Sequence, residues 1–229
     1  MFGDCKSLKD LDIICWDTHN LTIATSMFTN CKKLINLDLS GWDVHNLIYA
    51  DTMFAGSGIT YLNLSNWNVE SLSNASRMFA NNKLKSINLA GWKIKYSASP
   101  NLSELLNNCT KLEEVNLSNW NITNGYNITD IFTGDLKLKH IKMTGCNTST
   151  INKIISSLPS GNTVENAKIF TSLNTELSYL NNTPSNWKVV KGDNIKSEKF
   201  LSEEVIKTLI GNRKVKRIHV GDTKIFYHK

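Results

Sequence analysis

Nowhere in this chain do about 18 apolar residues run together, which excludes a transmembrane helix of ordinary length. The opening residues Met1, Phe2, Gly3, Asp4 and Cys5 lack the basic start and apolar stretch of a secretory signal. No C-x-x-C spacing occurs, which argues against structural zinc. Gly-rich phosphate loops, a G-x-S-x-G elbow and H-E-x-x-H are also missing, so no enzyme signature and no cofactor site is read. Proline and arginine are scarce, three residues each, against 23 Lys and 29 Asn. Asn, Lys and Ile are favoured by AT-rich coding DNA, so that skew reports genome composition rather than chemistry.

What the chain does have is enough apolar content to fold: 41% of its 229 residues are hydrophobic and only 20% charged. These residues recur. Met1-Phe2, Met27-Phe28, Met53-Phe54 and Met78-Phe79 return at spacings of 26, 26 and 25, and Leu105-Leu106 and Ile131-Phe132 continue the series. A period of this length signals stacked supersecondary units, and six coils are expected.

Each repeat then carries an apolar triplet spaced L-x-x-L-x-L: Leu8, Leu11, Ile13; Leu34, Leu37, Leu39; Ile59, Leu62, Leu64; Leu84, Ile87, Leu89; Leu112, Val115, Leu117; Leu138, Ile141, Met143. Its last two members lie two apart and so share one face of a short strand. A tryptophan follows in five repeats, at Trp16, Trp42, Trp67, Trp92 and Trp120, and Cys146 fills that slot in the sixth. Large rings at one register stack along the axis and bury about 150–250 Å² each. The Met-Phe pair falls on the far side, where a short helix or turn would close the coil. The fold class is therefore a leucine-rich-repeat solenoid of short parallel strands with short helices or turns over 1–158, a cap over 159–190, and a small α+β module over 191–229.

The segment MFTNCKKLINLDLSGWD, from Met27 to Asp43, shows the full pattern and resembles the BspA-type leucine-rich repeats of bacterial surface proteins, including mycoplasma lipoproteins. The resemblance covers about residues 1 to 158. It implies a right-handed solenoid that acts in adhesion or display, without catalysis, and it says little about the ligand. Because Met1-Phe2 already lies inside a repeat, the chain reads as a piece of a longer polypeptide.

The repeat register explains most residues that suggest chemistry. Cys5, Cys31 and Cys109 occupy one position, replaced by Ser57, Asn82 and Asp135 elsewhere. Only Cys5 and Cys31 are neighbours, and stacked free thiols are favoured over a disulfide. His19 and His45 lie one repeat apart, just after the Trp-Asp step, and form a short exposed ladder with Asp17 and Asp43. With no third ligand or nucleophile at that register, the pair reads as polar residues on a surface turn and no metal site is expected. N-x-S/T triplets such as Asn116-Leu117-Ser118 read as repeat residues rather than glycosylation acceptors.

A binding face, if present, lies on the outward side of the strands. Asp12, Asp38, Asn63, Asn88, Asn116 and Lys142 form one row, and Asp10, Asn36, Tyr61, Ser86, Glu114 and His140 the neighbouring one. Such a face binds a protein or glycan through many weak contacts, or is simply a solvated surface with Asn side chains bonded along the ladder.

The last 39 residues differ. From Ser202 through Glu203, Glu204, Val205, Ile206, Leu209 and Ile210 to Gly211 the order is that of one capped amphipathic helix. Val215–Val220, Gly221-Asp222 and Thr223–Tyr227 then read as a hairpin. Residues 191–229 hold 10 Lys and Arg against 5 Asp and Glu, most of the chain's net charge of +6. The cluster Arg213, Lys214, Lys216 and Arg217 is basic enough to suggest nucleic acid, but no stacking aromatic row accompanies it and nucleic acid is not the expected partner. VKRIHVGDTKIFYHK resembles short tails at the ends of phage structural proteins, which implies attachment through Arg213, Lys214, Lys216, Arg217, Ile218, Val220, Ile225 and Tyr227. A module this small has little core, so docking or oligomerisation would help it. The expected function is non-catalytic surface binding, on a virion that contacts its host or alternatively on a bacterial cell, with the tail joined to other structural proteins.

Overall fold

The L-x-x-L-x-L triplets of the third to sixth repeats form a parallel sheet, and its inner residues join those of the earlier repeats in a single continuous core. The computed structural model describes residues 1–65, 67–95, 97, 99–122, 125–159, 161, 164–172, 183–191, 218–220 and 223–225. Strands β1 (Tyr61–Asn63), β2 (Ser86–Asn88), β3 (Glu114–Asn116), β4 (His140–Lys142), β5 (Ala167–Thr171) and β6 (Trp187–Lys191) pair in chain order, all parallel. One helix, α1 (Thr148–Ile155), lies between β4 and β5. The architecture is a parallel solenoid, like leucine-rich repeats in general kind, with four successive turns contributing β1 to β4.

Leu62, Ile87, Val115 and Ile141 are the central residues of the four strands, stand in register and are buried. The triplets of the first two repeats pack as well, with Ile13, Leu37 and Leu39 buried, but they carry no strand. Asp10, Asp12 and Asp38 put carboxylates on this stretch of the face, and like charges opposite one another weaken pairing.

The far side of each coil is built from turns. Ser26, Thr52, Arg77, Glu104 and Asp130 have φ of 53–57°, and Asp4, Asn30, Gly56, Asn81, Asn108 and Gly134 also lie at positive φ. Two left-handed residues per repeat are incompatible with a right-handed helix, which settles the choice between helix and turn. Each strained residue costs on the order of 1–3 kcal/mol. The offset is a second ladder: Ser26 N–H donates to Asp51 O at 3.0 Å, Phe28 to Met53 at 2.8 Å and Asn30 to Ala55 at 2.7 Å, a pattern repeated at Thr52, Phe54 and Gly56.

Rings stack between the two ladders. Phe2, Phe28, Phe54 and Phe79 are spaced 5.7, 5.6 and 5.6 Å, and Trp16, Trp42, Trp67, Trp92 and Trp120 are spaced 6.2, 6.4, 6.4 and 6.3 Å. Trp42, Trp92 and Trp120 donate Nε1–H to Ile13, Leu64 and Leu89 carbonyls one turn earlier. Cys146, in the same slot, donates its Sγ–H to Leu117 O at 3.2 Å, so the smaller side chain keeps the bond while losing the ring.

Helix α1 starts three residues before the expected Ile151, because the Asn147 side chain accepts from Thr150 N–H and caps it there. Past residue 158 the sheet carries on: β5 pairs with β4, and β6 closes the series. The Trp187 to Val190 stretch, expected as part of a cap, is thus the last strand of the same sheet. At the C-terminus, β7 (Ile218–Val220) and β8 (Thr223–Ile225) pair antiparallel, Ile218 opposite Ile225 and Val220 opposite Thr223. The expected helix over 202–211 and residues Arg213, Lys214, Lys216, Arg217 and Tyr227 lie outside the described residues.

Candidate functional site

The two outward rows stand in the register expected from the triplets. Tyr61, Ser86, Glu114 and His140 are cross-strand partners, followed by Lys168; Asn63, Asn88, Asn116 and Lys142 form the parallel row, followed by Phe170. Their chemistry differs. In the second row the side chains terminate the strands: Asn63 Oδ1 accepts from Ser65 N–H and Oγ–H, Asn88 Oδ1 from Ala90 N–H and Asn116 Oδ1 from Ser118 N–H. Asp38 does the same for Ser40, with 3.0 Å to the amide and 2.7 Å to the hydroxyl. These are local turns in which a short polar side chain satisfies its own backbone. The D/N-L-S step of the second, third and fifth repeats was the signal for this, and it removes much of the row from ligand contact.

The first row is better suited to a partner. Lys85 Nζ sits 5.9 Å above the Tyr61 ring, Glu114 and His140 meet at 3.2 Å, and His140 packs edge-on to Phe170 with centroids 5.7 Å apart. Glu113 and Lys139 form an ion pair alongside. Ser86 and Glu114 are nearly closed off, so the accessible parts are Tyr61, His140 and the Lys side chains.

At the carboxyl ends of β1 to β4 the structure adds something the sequence reading missed. A groove of about 450 Å³ runs beside the tryptophan column, lined by Asn68, Glu70, Lys93, Asn119, Asn121 and Asn147 among others. Asn147 Nδ2–H donates to Asn121 Oδ1 at 2.6 Å, and Glu70 pairs with Lys95. The signal was the residue after each Trp, Asn68, Lys93 and Asn121, whose polar side chains line up only once the coils are stacked. Amides that both donate and accept, with one carboxylate and one ammonium, match a hydroxyl-rich ligand.

The same edge holds the histidine ladder in the first two repeats. His19 Nδ1 lies 3.2 Å from Asp43 Oδ2, His45 Nδ1 lies 2.6 Å from Asp43 Oδ1, and the ring centroids are 4.8 Å apart. The hydrogen bonds from the His45 side chain and backbone, with His19 adding to them, hold the Asp43 carboxyl down at about 2. Asp43 is thus the third group at this register. Asp17 instead accepts the His19 backbone N–H at 3.1 Å.

All five cysteines are free. Cys31 Sγ–H donates to Phe2 O and Cys109 Sγ–H to Phe79 O, both at 3.1 Å, and burial pushes both thiols up. They are packing residues of one column. No helix among the described residues is long and apolar enough to cross a membrane.

With the repeat, its two ladders and its faces in view, comparison with known families is decisive on kinship. The family described as a Mycoplasma protein of unknown function, DUF285, matches residues 1–100 and again residues 93–208. The chain belongs to this family. The second DUF285 match runs through β5 and β6, in keeping with a sheet that continues past residue 158. No curated protein and no solved structure matches the chain.

Proposed function

We propose that this DUF285 protein is a non-catalytic binding module displayed on a bacterial surface, with six coils presenting one polar band to a glycan or protein. The observation that carries the reading is the groove at the strand ends, where the amides of Asn68, Asn119 and Asn121 line the wall beside Glu70 and Lys93, with Asn147 bonded to Asn121 and Thr150 behind them. The Tyr61 to His140 row extends this surface along the sheet. Wide, shallow contact of this kind suits multivalent adhesion. The family description names mycoplasmas, which favours a cell surface over a virion.

Residues 191–229 serve in this reading as an attachment module. The pairing of β7 with β8 gives its hairpin, and Arg213, Lys214, Lys216 and Arg217 supply charge toward a larger assembly.

The test is a glycan array probed with the labelled chain, followed by solution affinity for the best hit. Asn68→Ala with Asn121→Ala is expected to weaken that affinity at least about tenfold, the loss of one or two good hydrogen bonds. Unchanged affinity in the double variant, or an array without saturable binding, sinks the groove as the site. Brief proteolysis of intact cells should remove the native protein if it is displayed.

A further inference from the structure

Among the described residues, one group of three His, Cys, Asp or Glu side chains brings its ligand atoms within 4.8 Å of one another: His19, Asp43 and His45. Two imidazoles and a carboxylate are the donor set preferred by divalent late first-row metals. We propose that these three residues form a surface site for such a cation, with Zn²⁺ as the representative ion.

The scaffold holds the donors from both turns. Asp43 N–H donates to the buried Thr18 Oγ at 2.8 Å, and Asn46 Nδ2–H donates to His19 O at 2.9 Å, so the two turns are tied one coil apart. Val44 and Leu47 anchor the second turn in the core. The side chains themselves remain free to adjust, since His19 and Asp43 are exposed and His45 half-buried. Both oxygens of Asp43 already face an imidazole nitrogen, at 3.2 and 2.6 Å. A cation at about 2.0–2.2 Å from each donor takes the place of those hydrogen bonds after small ring rotations. Further along the edge the register changes character, because Glu70 is occupied by Lys95. The site is therefore confined to the first two repeats.

Three protein ligands leave a coordination position open. Such a site binds exchangeably and can accept a carboxylate or imidazole from a second molecule. It is separate from the groove proposed above, and neither depends on the other.

The experiment uses the untagged, metal-stripped full chain titrated with Zn²⁺ by calorimetry, and with Co²⁺ for its absorption spectrum. One ion per chain is expected, with a Co²⁺ spectrum free of thiolate charge transfer. His19→Gln, His45→Gln and Asp43→Asn should each weaken binding at least about tenfold, the loss produced even by removing an outer-shell partner. His140→Gln, on the sheet face, should bind like the parent. In the unaltered chain, Zn²⁺ should shift two of the five histidine ring resonances. Absence of saturable binding, binding that survives His19→Gln with His45→Gln, or a thiolate band pointing to the exposed Cys5 and Cys15 overturns the proposal.

Discussion

Asp135 shows how one residue inherits its environment from a column. Cys31, Asn82 and Cys109 at this register each donate a hydrogen bond to the carbonyl of Phe2, Phe54 or Phe79 one turn earlier. The equivalent carbonyl for Asp135 is that of Leu106. An ionised carboxylate has nothing to donate, and Oδ2 is buried without a partner while Oδ1 accepts from Cys109 N–H at 2.7 Å. Burial raises the Asp135 carboxyl to about 9, so it is held as the neutral acid, which is the form with a donor. In the unfolded chain the group ionises near 3.8, and the folded state binds the extra proton between that value and about 9. Stability contributed by this proton is full below pH 4 and declines as pH rises through that window, by up to about 1.4 kcal/mol per pH unit. Asp135→Asn should raise the melting temperature at pH 8 and flatten the melting profile across this range, because Asn82 already performs the same task with an amide. A variant melting below the parent at pH 8 would refute this account. The shared register of Cys5, Cys31 and Asp135 was plain in the sequence. The carbonyl that the register serves was not, since it belongs to the neighbouring coil.

Among elements, the tryptophan column permits a sharper test than burial alone. Trp92 Nε1 bonds to Leu64 O at 2.9 Å, whereas Trp67 Nε1 is buried without an acceptor. Both rings stack and both are about 5% exposed or less. Trp92→Phe should therefore cost about 1–2 kcal/mol more than Trp67→Phe, read as a difference in urea midpoints at equal slope. Equal losses would show that the indole hydrogen bond adds nothing. Gly41, the residue before Trp42, is required on steric grounds: a Cβ there would sit 2.4 Å from Ile14 O, a backbone atom that cannot swing away. Gly41→Ala should lower the melting temperature by several degrees. At this scale β1 to β4 were legible because a period of two is local, whereas the same pattern in the first two repeats forms no strand. The turn side was not, since a Met-Phe pair is compatible with either a helix or a turn until the left-handed residues beside it are known.

For the whole molecule, the sheet runs past the last recognisable Trp-slot residue, Cys146, into β5 and β6. Sequence periodicity faded there because α1 takes the place of a turn and shifts the spacing, while hydrogen bonding between neighbouring coils continued unchanged. A chain ending at Lys191, the last residue of β6, is expected to melt within a few degrees of the full protein, measured by circular dichroism. Loss of cooperative melting would show that 192–229 are needed for the folded core.

The turn-side ladder has a genetic corollary. Each coil offers amides forward at the same positions, Ser26, Phe28 and Asn30 in one and Thr52, Phe54 and Gly56 in the next, and carbonyls backward at the residues between, Asp51, Met53 and Ala55. Duplication or deletion of a whole repeat in the gene leaves every remaining junction matched, whereas adding one residue on that side misaligns two junctions at once. Descendants of this chain should thus vary in length by whole coils, and shorter insertions should collect after the tryptophan, where Tyr96 to Pro100 already lengthen the fourth repeat.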